Sequence, residues 1–255
     1  MKQSYLFPLI ILLSSINPLL AQKPTPETFE TTAGTMHIYP ILHATMVIEW
    51  NGKTIYMDPY GGAERFEAFA KPDLVVITHA HGDHLNAQTL EGLNLEEAEL
   101  IAPQSVVDKL GEISFAKASV LANGESLERF AATVLAVPMY NLPDDETSRH
   151  KPGWGNGYVL TLGGQRIYIS GDTEDIEEMR DLEGIDIAFV CMNLPYTMDV
   201  EAAADAVVDF APGIVYPFHY RGGGGKFSDV EAFKQMVNQE APDVEVRLRN
   251  WYPEK

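Results

Sequence analysis

Asn51-Gly52 separates two short runs of alternating apolar residues, Thr45–Trp50 and Lys53–Met57. An Asn-Gly pair flanked in this way is a strong β-hairpin signal, because both residues tolerate the positive φ that a two-residue turn demands. Gly163-Gly164 makes the same arrangement between Tyr158–Leu162 and Arg166–Ser170. A further strand is expected at Met36–Ile41, ahead of the first hairpin. Strand and helix then alternate: strand Leu74–Thr78, helix Ala87–Leu93, strand Glu99–Ala102, helix Gln104–Leu110. Ser126–Pro138 reads as two strands joined tightly, and Asn141–Asn156 as a long loop rich in glycine and proline near its end. After the second hairpin the pattern resumes with strand Ile185–Val190, helix Val200–Phe210, strand Ile214–Pro217, helix Asp229–Asn238 and strand Val244–Leu248. Hairpins in each half, with helices between the remaining strands, predict a layered α/β sandwich. No repeat of fixed period is visible.

Residues 1–21 read as a secretory signal: a positive start at Met1-Lys2, an apolar run over Tyr5–Ile16, a break at Asn17-Pro18 and a small-residue cleavage point after Ala21. The run is shorter than the ~20 residues a membrane span needs, and nothing later is long enough. The expected product is an exported protein, periplasmic or secreted, without an integral membrane segment. Residues 22–35 read as a Pro/Thr-rich linker and 36–255 as one domain. With 37 acidic against 18 basic residues the net charge is −19, which would repel phosphate backbones and excludes electrostatic tracking of nucleic acid. A single cysteine excludes a disulfide framework and any Cys-rich zinc module. Cys191, at the end of an apolar run, reads as a core residue.

Chemistry therefore falls to the seven histidines. Thr78-His79-Ala80-His81-Gly82-Asp83-His84 places three imidazoles and a carboxylate directly after a buried-looking strand. In an extended loop His79 and His81 share a face. Beyond the Gly82 turn, Asp83 and His84 can reach a neighbouring point, so one loop can serve two adjacent cations. Imidazole and carboxylate suit zinc, iron or manganese.

His-x-His-x-Asp-His resembles the signature of the metallo-β-lactamase superfamily. Gly171-Asp172-Thr173 resembles its bridging aspartate motif, and Tyr216-Pro217-Phe218-His219-Tyr220 its last histidine motif. His43-Ala44-Thr45, Asp58-Pro59, Tyr168 and Tyr196-Thr197-Met198-Asp199 resemble the branch that holds the ascorbate-6-phosphate lactonases and N-acyl-phosphatidylethanolamine phospholipase D. The resemblance implies a four-layer αββα sandwich with two divalent metal ions, zinc first and manganese or iron as alternatives. His79 and His81 would bind one metal, Asp83 and His84 the other; Asp172 would bridge them and His219 would complete the second site. The implied reaction is hydrolysis of a small ester, lactone or phosphodiester by a metal-bound hydroxide, with Asp83 also receiving a proton.

The chain departs from that pattern where the first metal's third histidine is expected, since Asn141 stands there. Three outcomes are open: His150 supplies the ligand from the loop, Asn141 serves as a weak one, or the first site is weakened or empty. The last outcome gives the competing reading, a metal-binding or sensing protein on a hydrolase scaffold. His43 is expected beside the site and Asp58 as the partner that orients a ligand histidine. Arg221, ahead of Gly222–Gly225 and Lys226, forms with that lysine a candidate clamp on a flexible glycine run for an anionic group of a small-molecule substrate. Trp154 and Tyr196 are candidate pocket walls. His37 reads as a surface residue, and the sequence leaves the oligomeric state open.

Overall fold

Side chains of the N-terminal strands divide by parity, as the two-residue period of a strand requires. The computed structural model describes residues 22–253, and the leader expected over 1–21 lies outside the described residues. β1 (Glu27–Thr31), β2 (Gly34–Leu42), β3 (Thr45–Trp50) and β4 (Lys53–Met57) form an antiparallel meander. Three parallel strands extend it: β5 (Leu74–Val76), β6 (Glu99–Ala102) and β7 (Lys117–Val120). Met36, Ile38, Met46, Ile48, Ile55, Met57, Leu74 and Val76 join the core shared with the second sheet. Their neighbours Tyr39, Ile41, Val47, Tyr56, Val75 and Ile77 pack instead with Leu90 of α1 (Ala87–Gly92) and Val106 of α2 (Gln104–Val107).

The second sheet repeats the plan. β8 (Ser126–Arg129), β9 (Ala132–Met139), β10 (Gly155–Leu162) and β11 (Gln165–Ile169) are antiparallel, and β12 (Ile187–Cys191), β13 (Ile214–Phe218) and β14 (Glu245–Val246) follow in parallel. α3 (Glu177–Arg180), α4 (Val200–Phe210) and α5 (Val230–Glu240) complete it, with Ala203, Val207, Phe210, Phe233 and Val237 buried. The architecture is the αββα sandwich. Its two halves share a topology, four antiparallel strands and then three parallel ones, that no sequence period reveals.

This topology decides where the functional side chains gather. β2, β4 and β5 run in one direction, so His43, Asp58 and the Thr78–His84 loop emerge at the same edge of the first sheet. β9, β11 and β13 likewise deliver Asn141, Asp172 and His219 at one edge of the second. The backbone amide of His219 donates to the carbonyl of His43 at 3.3 Å, stitching the two edges together.

The segment expected as a linker over 22–35 is instead part of the sheet. β1 pairs with β2 over Glu27↔Ile38 to Thr31↔Gly34, and the alternating burial of Glu27-Thr28-Phe29-Glu30-Thr31 identifies an edge strand that exposes Thr28 and Glu30 and half-buries the other three. α2 is one turn long rather than the helix expected over 104–110, and the last strand shrinks to Glu245–Val246. α4 opens on Asp199, whose carboxylate accepts from the amide of Ala202 at 2.8 Å. Asp199→Ala is expected to cost about 1 kcal/mol, read as a lowered urea midpoint with an unchanged m-value.

Candidate metal centre

Asp58 leaves β4 with a positive φ of 42°, and its carboxylate arranges the loop that follows β5. Oδ1 accepts from the amide of Thr78 at 2.7 Å, and Oδ2 accepts from the Thr78 hydroxyl at 2.7 Å and lies 2.8 Å from Nδ1 of His84. The strand therefore ends at Val76, and His84 turns its Nε2 inward. That atom lies 3.1 Å from Nε2 of His219 and 3.4 Å from Oδ1 of Asp172. His79 passes Gly155 closely: a Cβ there would sit 2.8 Å from the Cβ of His79, so only glycine leaves room for the imidazole. His43 and His219 also hold positive φ, at 62° and 45°, a strained backbone of the kind that collects at functional sites.

Three groups result, two of which share His79. Ligand-capable atoms of His79, His81 and His150 lie within 4.8 Å of one another, as do those of His43, Asp83 and His219, and those of His79, His84 and Asp172. Asp172 faces both sides. Its Oδ1 is 3.3 Å from His219 Nε2, and its Oδ2 is 3.6 Å from His150 Nε2 and 4.0 Å from His79 Nε2. Asp172 and Asp58 are buried, whereas the Asp83 side chain is 37% exposed.

The residues fit divalent cations. Neighbouring imidazole nitrogens 3.1 Å apart, His84 with His219 and His81 with His150, repel unless a proton or a cation lies between them. His79 Nε2 and Asp172 Oδ1 are buried without a hydrogen-bond partner, a cost that a coordinated ion removes. Burial pushes the imidazoles of His43, His81 and His150 down to about 4, and that of His79 well below its ordinary value, which leaves them neutral as ligands must be. Burial acts against the charge of His84 too, but Asp172 and Asp58 hold its imidazole well above the ordinary value. Asp83 and Asp172 also resist burial: His219 and His43 around the first, and His219 and His84 around the second, keep both well below the usual carboxylate range.

Asn141 is turned away from the cluster and toward His150. Its Oδ1 accepts from the His150 amide at 2.8 Å and lies 3.0 Å from Nδ1 of the same residue, which leaves His150 Nε2 facing His81. Its Nδ2 donates to Glu174 Oε1 at 3.0 Å and to the Tyr196 carbonyl at 2.9 Å. Asn141 thus orients the imidazole as a positioning residue. Trp154 stands beside His81, with ring centroids 4.7 Å apart. Tyr196 carries the Arg149 guanidinium 4.7 Å above its ring. His37 stays on β2, with its Nδ1 3.1 Å from the Thr28 hydroxyl. Cys191 is fully buried.

The glycine run after Arg221 is an ordered turn rather than a flexible clamp. Gly222 donates to the Lys226 carbonyl and Gly223 to that of Leu194, both at 2.8 Å, and Lys226 is exposed. Tyr60, Arg65 and Tyr252 line the neighbouring rim and had no signal in the sequence, because they come from the connection after β4, where Arg65 sits in a short 3-10 turn (Ala63–Phe66), and from the segment after β14. Tyr252 bonds through its hydroxyl to His43 Nδ1 at 2.9 Å, and His43 Nε2 lies 3.1 Å from Asp83 Oδ2.

Comparison with known proteins gives a consistent picture. A family model described as the beta-lactamase superfamily domain matches residues 37–219. A metal-dependent hydrolase of Pyrococcus abyssi is 31% identical over 212 residues, 79% of this chain and 92% of that protein. A crystal structure from Parabacteroides distasonis, also named as a metal-dependent hydrolase, is 35% identical with a TM-score of 0.78, over 90% of this chain and 99% of that one. Igni18, a metallo hydrolase from Ignicoccus hospitalis, shares the fold at a TM-score of 0.70 and 24% identity, over 85% and 95% of the two chains.

Proposed function

The chain belongs to the beta-lactamase superfamily domain family and is a metal-dependent hydrolase, and from that premise we propose that it is dinuclear and cleaves a small ester, lactone or phosphodiester. His79, His81 and His150 would hold one cation, Asp83, His84 and His219 the other, and Asp172 would touch both. The observation that carries this is the position of Asp172, with one carboxylate oxygen toward His84 and His219 and the other toward His79 and His150. Two bound cations, zinc first by donor type, would supply a nucleophile from water at neutral pH and polarise the scissile carbonyl or phosphoryl group.

The chain's own residues do the rest. Asp58 and Asn141 fix the ring orientation of His84 and His150 through the nitrogen each turns outward. Asp83, the partly exposed carboxylate, can take up a proton from the reacting centre at the face open to solvent. Its other contact, His43, is held by Tyr252 and so fixes the carboxylate in place. Trp154, beside His81, would form a wall of the pocket.

The competing reading, a metal-sensing protein with a weakened first site, rested on Asn141. With His150 Nε2 turned toward His81, no observation favours it. The purified protein is expected to hold about two equivalents of divalent metal and to hydrolyse 4-nitrophenyl acetate, γ-butyrolactone or bis(4-nitrophenyl) phosphate. Chelation should abolish turnover and added zinc or manganese restore it. Less than one tightly held equivalent, with no rescue by metal, overturns the proposal.

A further inference from the structure

Among the described residues, four of the eight arginines, Arg65, Arg149, Arg166 and Arg221, have no carboxylate within 4.0 Å, and two of these, Arg65 and Arg221, line one cavity. Among the described residues, ion pairs engage Lys23, Lys53, Arg129, Arg180, Arg247 and Arg249. Among the described residues, neither Arg65 nor Arg221 has a carboxylate within 4.0 Å. Both border a cavity of about 300 Å³, together with Leu42, Tyr60, Gly61 and Tyr252.

Each guanidinium is held in place. Arg65 donates through Nε to the Gly61 carbonyl at 3.1 Å, which leaves both terminal nitrogens free of described partners. Gly61 permits this approach: its φ is +91°, and a Cβ there would meet Arg65 Nε at 2.9 Å and Leu42 Cδ2 at 2.4 Å. Arg221 lies with its Cζ 4.6 Å from the ring centroid of Tyr252, and its backbone amide donates to the Tyr252 hydroxyl at 3.0 Å. A guanidinium held over an aromatic ring in this way keeps its N–H donors available to a ligand. The cavity also abuts the metal centre. The Tyr252 hydroxyl that receives the Arg221 amide also contacts His43, and the Tyr60 ring lies 5.8 Å from the His43 ring.

We propose that this cavity is the subsite for an oxyanion substituent of the substrate, a carboxylate or phosphate group gripped by Arg65 and Arg221 while the scissile bond lies over the metal centre. The assignment rests on the hydrolytic reading above and narrows its substrate class to anionic esters, lactones or phosphodiesters. Paired guanidiniums suit such a group because their planar donors match two oxygens at once. The acidic surface elsewhere repels anions, so a local cationic pocket also selects where one can settle.

The test compares 4-nitrophenyl acetate with the mono-4-nitrophenyl esters of succinate, glutarate and adipate, whose carboxylates reach progressively farther. Wild type is expected to prefer one of the anionic esters at least about 10-fold in kcat/KM, chiefly through KM, given the strength of charge-assisted hydrogen bonds. The R65M/R221M double variant should lose that preference, and R65K/R221K should retain part of it. In parallel, isothermal titration of the metal-loaded protein uses propionate and methyl phosphate as probes. At least one should bind wild type about 10-fold more tightly than the double variant, and which one does distinguishes carboxylate from phosphate. Equal preference ratios in wild type and double variant, or equal affinities for both probes, overturn the subsite. Arginine-dependent binding without turnover of any ester would overturn the hydrolytic reading and leave the subsite standing.

Discussion

Asp172→Ala is expected to empty both cation positions and to lower kcat/KM by at least about 10³-fold, beyond the 10- to 100-fold typical of residues that only orient a ligand. The reason is geometric. Oδ1 faces His84 and His219 at 3.4 and 3.3 Å, and Oδ2 faces His150 and His79 at 3.6 and 4.0 Å, so one residue serves both halves of the cluster. It also supplies the negative charge that offsets two cations in a buried setting, where an uncompensated charge is costly. Asp172→Asn keeps the volume and removes the charge, and it should lose metal nearly as completely. Asn141→Ala provides the contrast. It removes the partner of His150 Nδ1 while leaving every direct candidate ligand, so a loss of about 10- to 100-fold in metal affinity or activity is expected. Elemental analysis with steady-state kinetics on the three variants checks the order. An Asp172→Ala protein that retains two metals would refute the shared position of this carboxylate.

The contrast between Asp172 and Asn141 also separates what was legible in the sequence from what was not. β3 and β4 were read to the residue because Asn51 and Gly52 adopt φ of 50° and 70°, the turn that their chemistry announces. α4 was equally plain, with an acidic cap and a buried apolar stripe. β1 and β7 were not, since both lie at the edge of the first sheet. Their register is held by backbone bonds while many of their side chains remain polar and exposed, so the apolar alternation that marks a strand is weak.

The metal-facing loop was legible because its three histidines, His79, His81 and His84, fall within six positions of the chain. Asn141 and His150 were harder, because sequence distance concealed a contact. The amide of Asn141 donates to the His150 carbonyl at 3.0 Å and the His150 amide donates back to Asn141 Oδ1, so nine positions close into one hydrogen-bonded pair. Arg65 and Tyr252 lie farther still from any motif. They come to line one cavity with Arg221 only through the folding of the segments after β4 and β14, and no spacing rule could have joined them.

Stripped of metal, the protein is expected to be most stable near pH 6.5 and to weaken on both sides, and the sign follows from the same buried histidines. His43, His81 and His150 titrate near 4 in the folded chain and near 6.5 when unfolded, and burial holds His79 well below its ordinary value too. Between those values the unfolded chain binds protons that the folded one refuses, so stability falls as pH falls. His43 and His150 together give a slope of about 3 kcal/mol per pH unit, with a smaller, solvent-screened share from His81. His84 has the opposite sign: its folded value is raised by Asp172 and Asp58 against burial, so its contribution is complete below pH 6.5 and is lost as pH rises through the folded value. Asp83 and Asp172 are depressed, so their contributions are lost only in more acidic solution, outside this window. Cation binding displaces the proton from His84 and should flatten the alkaline limb, while the acid limb becomes a metal-release curve that depends on metal concentration. Urea midpoints from about pH 4.5 to 9, with and without chelator, measure both limbs. A metal-free midpoint that stays level from pH 6.5 to 4.5 would show that these imidazoles are not held neutral by burial, and one that keeps climbing above pH 8 would show that His84 does not hold a second proton between Asp58 and Asp172.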